Sequence, residues 1–440
     1  MFKKGKLVLL YMIISFLITA MIPVGNTKVS ASTDTLNLKG AAAILIDGKT
    51  GKVLYEKNAD ELLGVASMSK MMTEYLVLEA IHAGKLSWDQ KVVISKFIHD
   101  LSNPSLGVST VGLTEGESYT VKELYESMAI HSANASTVAL AELLGGTEEN
   151  FVKLMNKKAK ELGLKDYYFV NSSGLNNADM LGNHPKGSDK SDENKMSARD
   201  TARLAYHLIN DFPEVIETAK QPILKFRGEE FKNFNWMLPG LIFEYDGVDG
   251  LKTGSTDYAG YNFAATAERN GQRFISVIMK TGSQKERFEE TKKILDYAFQ
   301  NFSTEEIFKS NYSIKGKKTV PVLKGKENSV KIATKEPLTM MIKNGEKDQY
   351  KPKLVLDKKK LDKNGNLVAP VKKGEVVGYL TYEYKGEDLG YLYPNQKSKV
   401  DVIATESVEK ANWFVLMFRG IGSFFGNLWH GITSTVSSWF

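Results

Sequence analysis

Cysteine is absent from all 440 residues. This rules out a disulfide framework, a thiol nucleophile and a thiolate metal site, so an exported chain of this kind must be held together by its core. Histidine is scarce. His82, His99, His131, His184, His207 and His430 are the whole set, and no two are spaced as His-x-x-x-His. A zinc-peptidase signature is therefore missing, and neither a metal nor a cofactor is expected. Strong net charge is lacking too. The formal charge is +6, but Lys3, Lys4, Lys6 and Lys28 lie in a leader expected to be removed, and without those four the chain carries +2. That balance gives no reason to expect a nucleic-acid partner. There is no long low-complexity stretch and no repeat of solenoid period.

What is present begins with an export signal. Lys3, Lys4 and Lys6 precede an apolar run from Leu7 to Ile22, and Val29-Ser30-Ala31 is a small-residue cleavage pattern. Residues 1–31 are expected to be a signal peptide, with the mature chain starting near Ser32 outside the cytoplasm. The remainder is too long for one modest core.

Three regions follow, and residues 32–305 are the first. Strand-like Ala41 to Ile46, a turn at Asp47-Gly48-Lys49-Thr50-Gly51 and strand-like Lys52 to Glu56 open it. Apolar spacing predicts helices over Lys122 to Ile130, Ser136 to Leu144, Glu149 to Leu162 and from Ser197 to about Asn210, the last N-capped by Ser197. Residues 176–195 are polar and read as a long surface loop. Two strands joined through Asn270-Gly271 form a hairpin, and Glu286 to Phe299 returns to helix. Strands at both ends with helices between predict an α/β fold, a mixed sheet with helices on its faces. Residues 311–404 read as a small all-β domain of short strands, with no nucleophile and base of their own. Over 410–440, Phe414, Met417, Phe418, Ile421, Phe424, Phe425, Leu428, Ile432, Val436 and Trp439 recur at helical steps with polar residues between them. That pattern predicts an amphipathic helix lying on a membrane surface rather than crossing it.

The chemistry is concentrated in three short motifs. Ser67 stands three residues before Lys70 at the head of an apolar helical run, which puts a hydroxyl and an amine on one face. A lysine so placed can activate the serine without a histidine. Ser132-Ala133-Asn134 falls between two helices, and Lys252-Thr253-Gly254 falls on a strand edge. Each motif alone is common; the three in this order form a known set for serine acyl-transfer enzymes.

With these motifs, and with Asn171-Ser172-Ser173-Gly174-Leu175, Met196-Ser197-Ala198-Arg199-Asp200 and Asn233-Phe234-Asn235, the chain resembles the low-molecular-mass penicillin-binding proteins that are serine D-alanyl-D-alanine carboxypeptidases, and most of all those of growing bacilli. The resemblance implies a transpeptidase-like catalytic domain acting on peptidoglycan pentapeptides that end in D-Ala-D-Ala, and acylation by β-lactam antibiotics. It makes Ser67 the nucleophile, Lys70 the base and Ser132 the proton relay. Asn134, Lys252, Thr253 and Ser255 would bind substrate. Arg287 matches an arginine used near the substrate carboxylate, and reads equally well as a surface arginine. The middle motif carries Ala133 where many relatives have glycine. A β-lactamase is the enzymatic alternative, disfavoured because no Glu-x-x-Leu-Asn motif for deacylation is found. An inactive wall-binding protein of the same fold is the other.

Overall fold

In a computed structural model the structure describes residues 34–417. The expected export leader and most of the segment expected to form the terminal helix lie outside these residues. The catalytic region is built on one five-stranded sheet. β1 (Ala42–Asp47) and β2 (Val53–Lys57) come first in the chain, and β3 (Val248–Thr256), β4 (Gly260–Arg269) and β5 (Gln272–Thr281) come last. The order across the sheet is β3-β4-β5-β1-β2, which leaves β3 at an edge. Every neighbouring pair is antiparallel, where the order of elements suggested mixed strand directions. The β1–β2, β3–β4 and β4–β5 connections are tight turns, and only hairpins can be that short; β1 and β5, remote in sequence, pair antiparallel as well.

Alternation along the strands builds two cores. Ile44 and Ile46 of β1 and Ile275, Val277 and Met279 of β5 face a set of helices. Ala43, Leu45, Phe274 and Ile278 face the opposite side. On the first face lie α1 (Lys70–His82), α2 (Val121–His131), α3 (Asn134–Gly145), α4 (Glu148–Glu161) and α5 (Ala198–Asp211). On the second, α6 (Gln284–Asn301) covers the sheet with Phe288, Ile294, Leu295 and Ala298. Helix starts follow from the sequence. Thr120 and Glu123 close a capping box on α2, and Ser197 caps α5 by accepting from Asp200 N–H.

The β-rich region has a core of its own. Its strands are β6 (Phe302–Phe308), β7 (Thr319–Leu323), β8 (Ser329–Thr334), β9 (Leu338–Lys343), β10 (Tyr350–Leu356), β11 (Leu367–Val368), β12 (Val376–Tyr384) and β13 (Val400–Ala404). Six of them form a sheet in the order β10-β12-β13-β8-β7-β11, and β6 pairs with β9. The segment around Leu392 ties this region to the catalytic one. Arg203 donates to Leu392 O at 2.7 and 3.1 Å, and Leu392 N–H donates to Gly51 O at 2.9 Å.

Candidate active site

The turn that carries Ser67 is a 3-10 helix, Ala66–Ser69, running directly into α1. Lys70 N–H donates to Ser67 O, and a 3-10 turn stacks residues i and i+3 over one another. The helical expectation holds, with a 3-10 turn at its head that lines the two side chains up: Lys70 Nζ lies 2.9 Å from Ser67 Oγ. Ala66 holds φ 47, a left-handed backbone at a non-glycine residue next to Ser67.

Lys70 is fully buried. Its amine also donates to Asn134 Oδ1 at 2.7 Å and to Ser173 O at 2.6 Å. Both are acceptors only, and Asn134 cannot turn over, because its own NH2 is donated to Ser109 O at 2.9 Å. A neutral amine has two hydrogens and one lone pair. With the hydrogens taken by Asn134 and Ser173, the lone pair is left facing the Ser67 hydroxyl, the arrangement a base needs. Burial, with Lys252 nearby, holds the Lys70 ammonium well below its usual range. Glu74, one turn further along α1, acts in the opposite direction.

Ser173 was not singled out as a site residue, since its contribution is a backbone carbonyl. A dense network fixes it. Asn171 Oδ1 accepts from Ser173 N–H and Gly174 N–H, Thr73 Oγ1 donates to Ser172 O, and buried Glu148 accepts from Ser172 N–H at 2.7 Å and Ser172 Oγ at 3.0 Å. Burial pushes the Glu148 carboxyl up to about 7. Gly174 has φ +78, and a Cβ there would lie 1.9 Å from Ala66 O, so only glycine lets this loop reach the Ser67 turn.

Ser132 ends α2 with φ 59. Its Oγ is buried and has no hydrogen-bond partner among the described residues. A buried hydroxyl left open is costly and points to a group supplied from outside. The neighbouring His131 is turned away, with Nδ1 2.9 Å from Lys232 O.

Edge strand β3 closes the site. Gly254 is pressed onto the Ser67 turn: a Cβ there would meet Val65 O at 2.4 Å and Ser67 N at 3.0 Å. Asn235 Nδ2 donates to Gly250 O, holding the strand from the side. Lys252 is 3% exposed and Arg287 2% exposed, which excludes the reading of Arg287 as a surface arginine. Neither is salt-bridged among the described residues, and Arg287 Nε makes no hydrogen bond among them. Lys252 Nζ has only a long contact, 3.4 Å, to Thr253 O. Burial, helped by Arg287, brings the Lys252 ammonium down to about 8, against the pull of Glu74. Burial lowers Arg287 to about 10. Two buried cations without a salt bridge among the described residues, close to Ser67, make this a place where an anion would be favoured. Thr253 is buried beside Lys252, and Ser255 is exposed at the mouth. Glu74, also missed in the sequence, is buried with its carboxyl pushed up to about 7 by burial. The Tyr125 hydroxyl faces it without closing a hydrogen bond of ordinary length.

These parts define a serine enzyme of the acyl-transfer class, with a lysine in place of histidine and a cationic pocket for a substrate anion. Residues 27–283 match the D-alanyl-D-alanine carboxypeptidase family, and residues 302–410 match the C-terminal domain of penicillin-binding protein 5. The chain belongs to the D-alanyl-D-alanine carboxypeptidase family. It is 35% identical over 399 residues to D-alanyl-D-alanine carboxypeptidase DacF of Bacillus subtilis, covering 89% of this chain and 91% of that one. Among solved structures it is similar to PBP3, a peptidoglycan synthesis regulatory factor of Streptococcus pneumoniae, with TM-score 0.71, 34% identity and coverage of 84% of this chain and 100% of that one. It is also similar to cefotaxime-bound penicillin-binding protein D2 of Listeria monocytogenes, with TM-score 0.51, 36% identity and coverage of 60% and 98%.

Proposed function

We propose that this protein removes the terminal D-alanine from peptidoglycan pentapeptides through an acyl-enzyme on Ser67. The observation that carries the reading is the three-way seating of Lys70 Nζ on Ser67 Oγ, Asn134 Oδ1 and Ser173 O. Neutral Lys70 takes the Ser67 proton as Oγ attacks the carbonyl carbon between the two D-alanines. The developing oxyanion is received by backbone N–H groups of Ser67 and Ser255, each such donor being worth roughly 3 kcal/mol. Ser132, with its open hydroxyl, passes the proton from Lys70 to the departing D-alanine nitrogen. Lys252, Thr253 and Arg287 hold the free terminal carboxylate, which restricts cleavage to the last residue. Asn134 orients Lys70 and lines the substrate's backbone. Water, deprotonated through the same Lys70, then cleaves the ester and returns the proton to Ser67. No metal or cofactor enters these steps.

A β-lactam carries a carboxylate and a strained amide in the same relation, so it acylates Ser67. The buried acids near the site, Glu74 and Glu148, are committed to the lysine pair and to Ser172, which favours a long-lived adduct. No helix among the described residues is long and apolar enough to cross a membrane. The enzyme works outside the cytoplasm at the wall, held to the outer membrane face by the amphipathic pattern of residues 410–440.

The test is D-alanine release from a pentapeptide ending in D-Ala-D-Ala by the purified mature chain, with penicillin labelling alongside. Ser67→Ala should abolish both. Release retained in that variant overturns the mechanism. Rapid penicillin turnover favours the β-lactamase reading, and peptide binding without release favours an inactive wall-binding protein.

A further inference from the structure

We infer that the β-rich domain is itself a second membrane contact, built on Leu323 and Val368 at the root of the terminal segment. The inference rests on the anchoring proposed for residues 410–440. Its starting point is a patch assembled from three remote pieces of sequence. Leu323 of β7 and Val368 of β11 are register partners in the sheet. Both are exposed, at 42% and 41%. Pro370, two residues on, is exposed as well. The chain leaves the domain beside them: Ala411 N–H donates to Lys324 O at 2.9 Å, Lys410 pairs with Gly325, and Ala369 N–H donates to Leu323 O at 2.9 Å. Trp413 and Phe414 follow at once, 63% and 53% exposed, with their rings stacked 4.0 Å apart.

Single exposed apolar residues need no explanation, but a contiguous group continuous with an apolar terminal segment does. Aliphatic side chains, a tryptophan and flanking lysines are what the interfacial zone of a bilayer accepts. Lys324 and Lys410 stand exposed at the rim; Lys326 is paired to Glu409.

Charge distribution gives an independent reason for the same orientation. Residues 302–410 hold 22 lysines and 15 acids, a net of +7, whereas residues 34–301 hold 31 lysines and arginines against 37 acids, a net of −6. The near-neutral total therefore conceals a strongly polar molecule. Over an anionic leaflet the basic domain is drawn down and the acidic catalytic domain is pushed outward, toward the wall. The committed partner is thus an anionic lipid surface. A second copy of the chain would bring like-charged domains together at this patch.

The absence of cysteine makes the test clean. Val368→Cys, and Ile242→Cys on the catalytic domain (79% exposed), are labelled with an environment-sensitive fluorophore in the full mature chain. Each is bound to vesicles of phosphatidylglycerol and phosphatidylcholine, with and without brominated phosphatidylcholine as quencher. The Val368 label should shift to the blue and be quenched, and the Ile242 label should do neither. Leu323→Asp with Val368→Asp should raise the apparent Kd for these vesicles about tenfold while leaving D-alanine release unchanged. A Val368 label that stays in water while the protein sediments with the vesicles overturns the second contact and leaves the anchor standing. Failure to sediment at all overturns the anchor, and the contact with it.

Discussion

Asn134 gives its amide NH2 to Ser109 O at 2.9 Å and so turns its oxygen toward Lys70 Nζ at 2.7 Å. The middle motif is thereby part of the setting of Lys70, the base in the proposed mechanism. Asn134→Asp replaces a neutral acceptor by a carboxylate of the same shape, at the cost of the hydrogen bond donated to Ser109 O. An opposite charge at this distance raises a lysine pKa by about 1–3 units. Lys70 would then stay protonated at neutral pH. The acylation rate by penicillin should fall roughly 10- to 1000-fold at pH 7 and recover as pH rises. Measured as a pH profile of acylation, the acid limb should move upward; a uniform loss at all pH values would argue against this role.

Ser132 separates chemistry from stability. Its hydroxyl makes no bond among the described residues, so Ser132→Ala breaks no hydrogen bond within them. Thermal unfolding should be within about 1 kcal/mol of wild type, since alanine keeps the same backbone demand at φ 59. D-alanine release should nevertheless fall roughly 100- to 10,000-fold, the usual worth of a positioned proton carrier. A variant that lost both together would mark Ser132 as structural.

Gly174 tests whether the loop carrying Ser173 is needed to set the nucleophile turn. Gly174→Ala meets Ala66 O at 1.9 Å and must also hold φ +78. Strain of this kind costs at least about 1–3 kcal/mol, before the displacement of Ala66 is counted. Calorimetry should show a lower Tm, and acylation of the surviving folded fraction should be slowed because Ser173 O no longer reaches Lys70. Normal acylation in the folded fraction would show that the carbonyl is dispensable.

Legibility differed by kind of residue. Ser67, Lys70, Ser132, Asn134 and Lys252 were readable because short fixed spacings bring them in from only three segments. Ser109 and Ser173 were not, because they act through carbonyls that every residue possesses. Glu74 was hidden inside the apolar run of α1, where nothing marks a carboxylate as buried until α2 and β3 are packed over it. Arg287 was ambiguous for a related reason: its helix is polar by composition, and only the stacking of Phe288 against Trp236 and Phe243 turns that face inward. In the β-rich region nothing in the sequence marks the start of β6, which leaves α6 with no glycine or proline between Asn301 and Phe302. β9, with Met340, Met341 and Ile342 all buried, lacks the alternation that betrays a half-exposed strand.

The pH dependence of substrate binding should be controlled from both sides of Lys252. Its ammonium titrates at about 8, held down by burial and by Arg287 and held up by Glu74. In the proposed mechanism the charged form binds the terminal carboxylate, so kcat/KM should decline as pH rises through about 8, mostly as a rise in KM. Arg287→Ala removes a like charge, and the alkaline limb should move up even as overall binding weakens. Glu74→Gln removes the opposing charge that favours the ammonium, and the same limb should move down. Lys70, which Glu74 also favours in its charged form, should lose its proton more readily, so the acid limb of Glu74→Gln moves down as well. Glu74→Asp should restore both limbs if charge is what matters. Steady-state profiles for the three variants decide the matter. Limbs that stay in place while kcat falls evenly would leave Glu74 and Arg287 as packing residues with no part in setting the lysine pair.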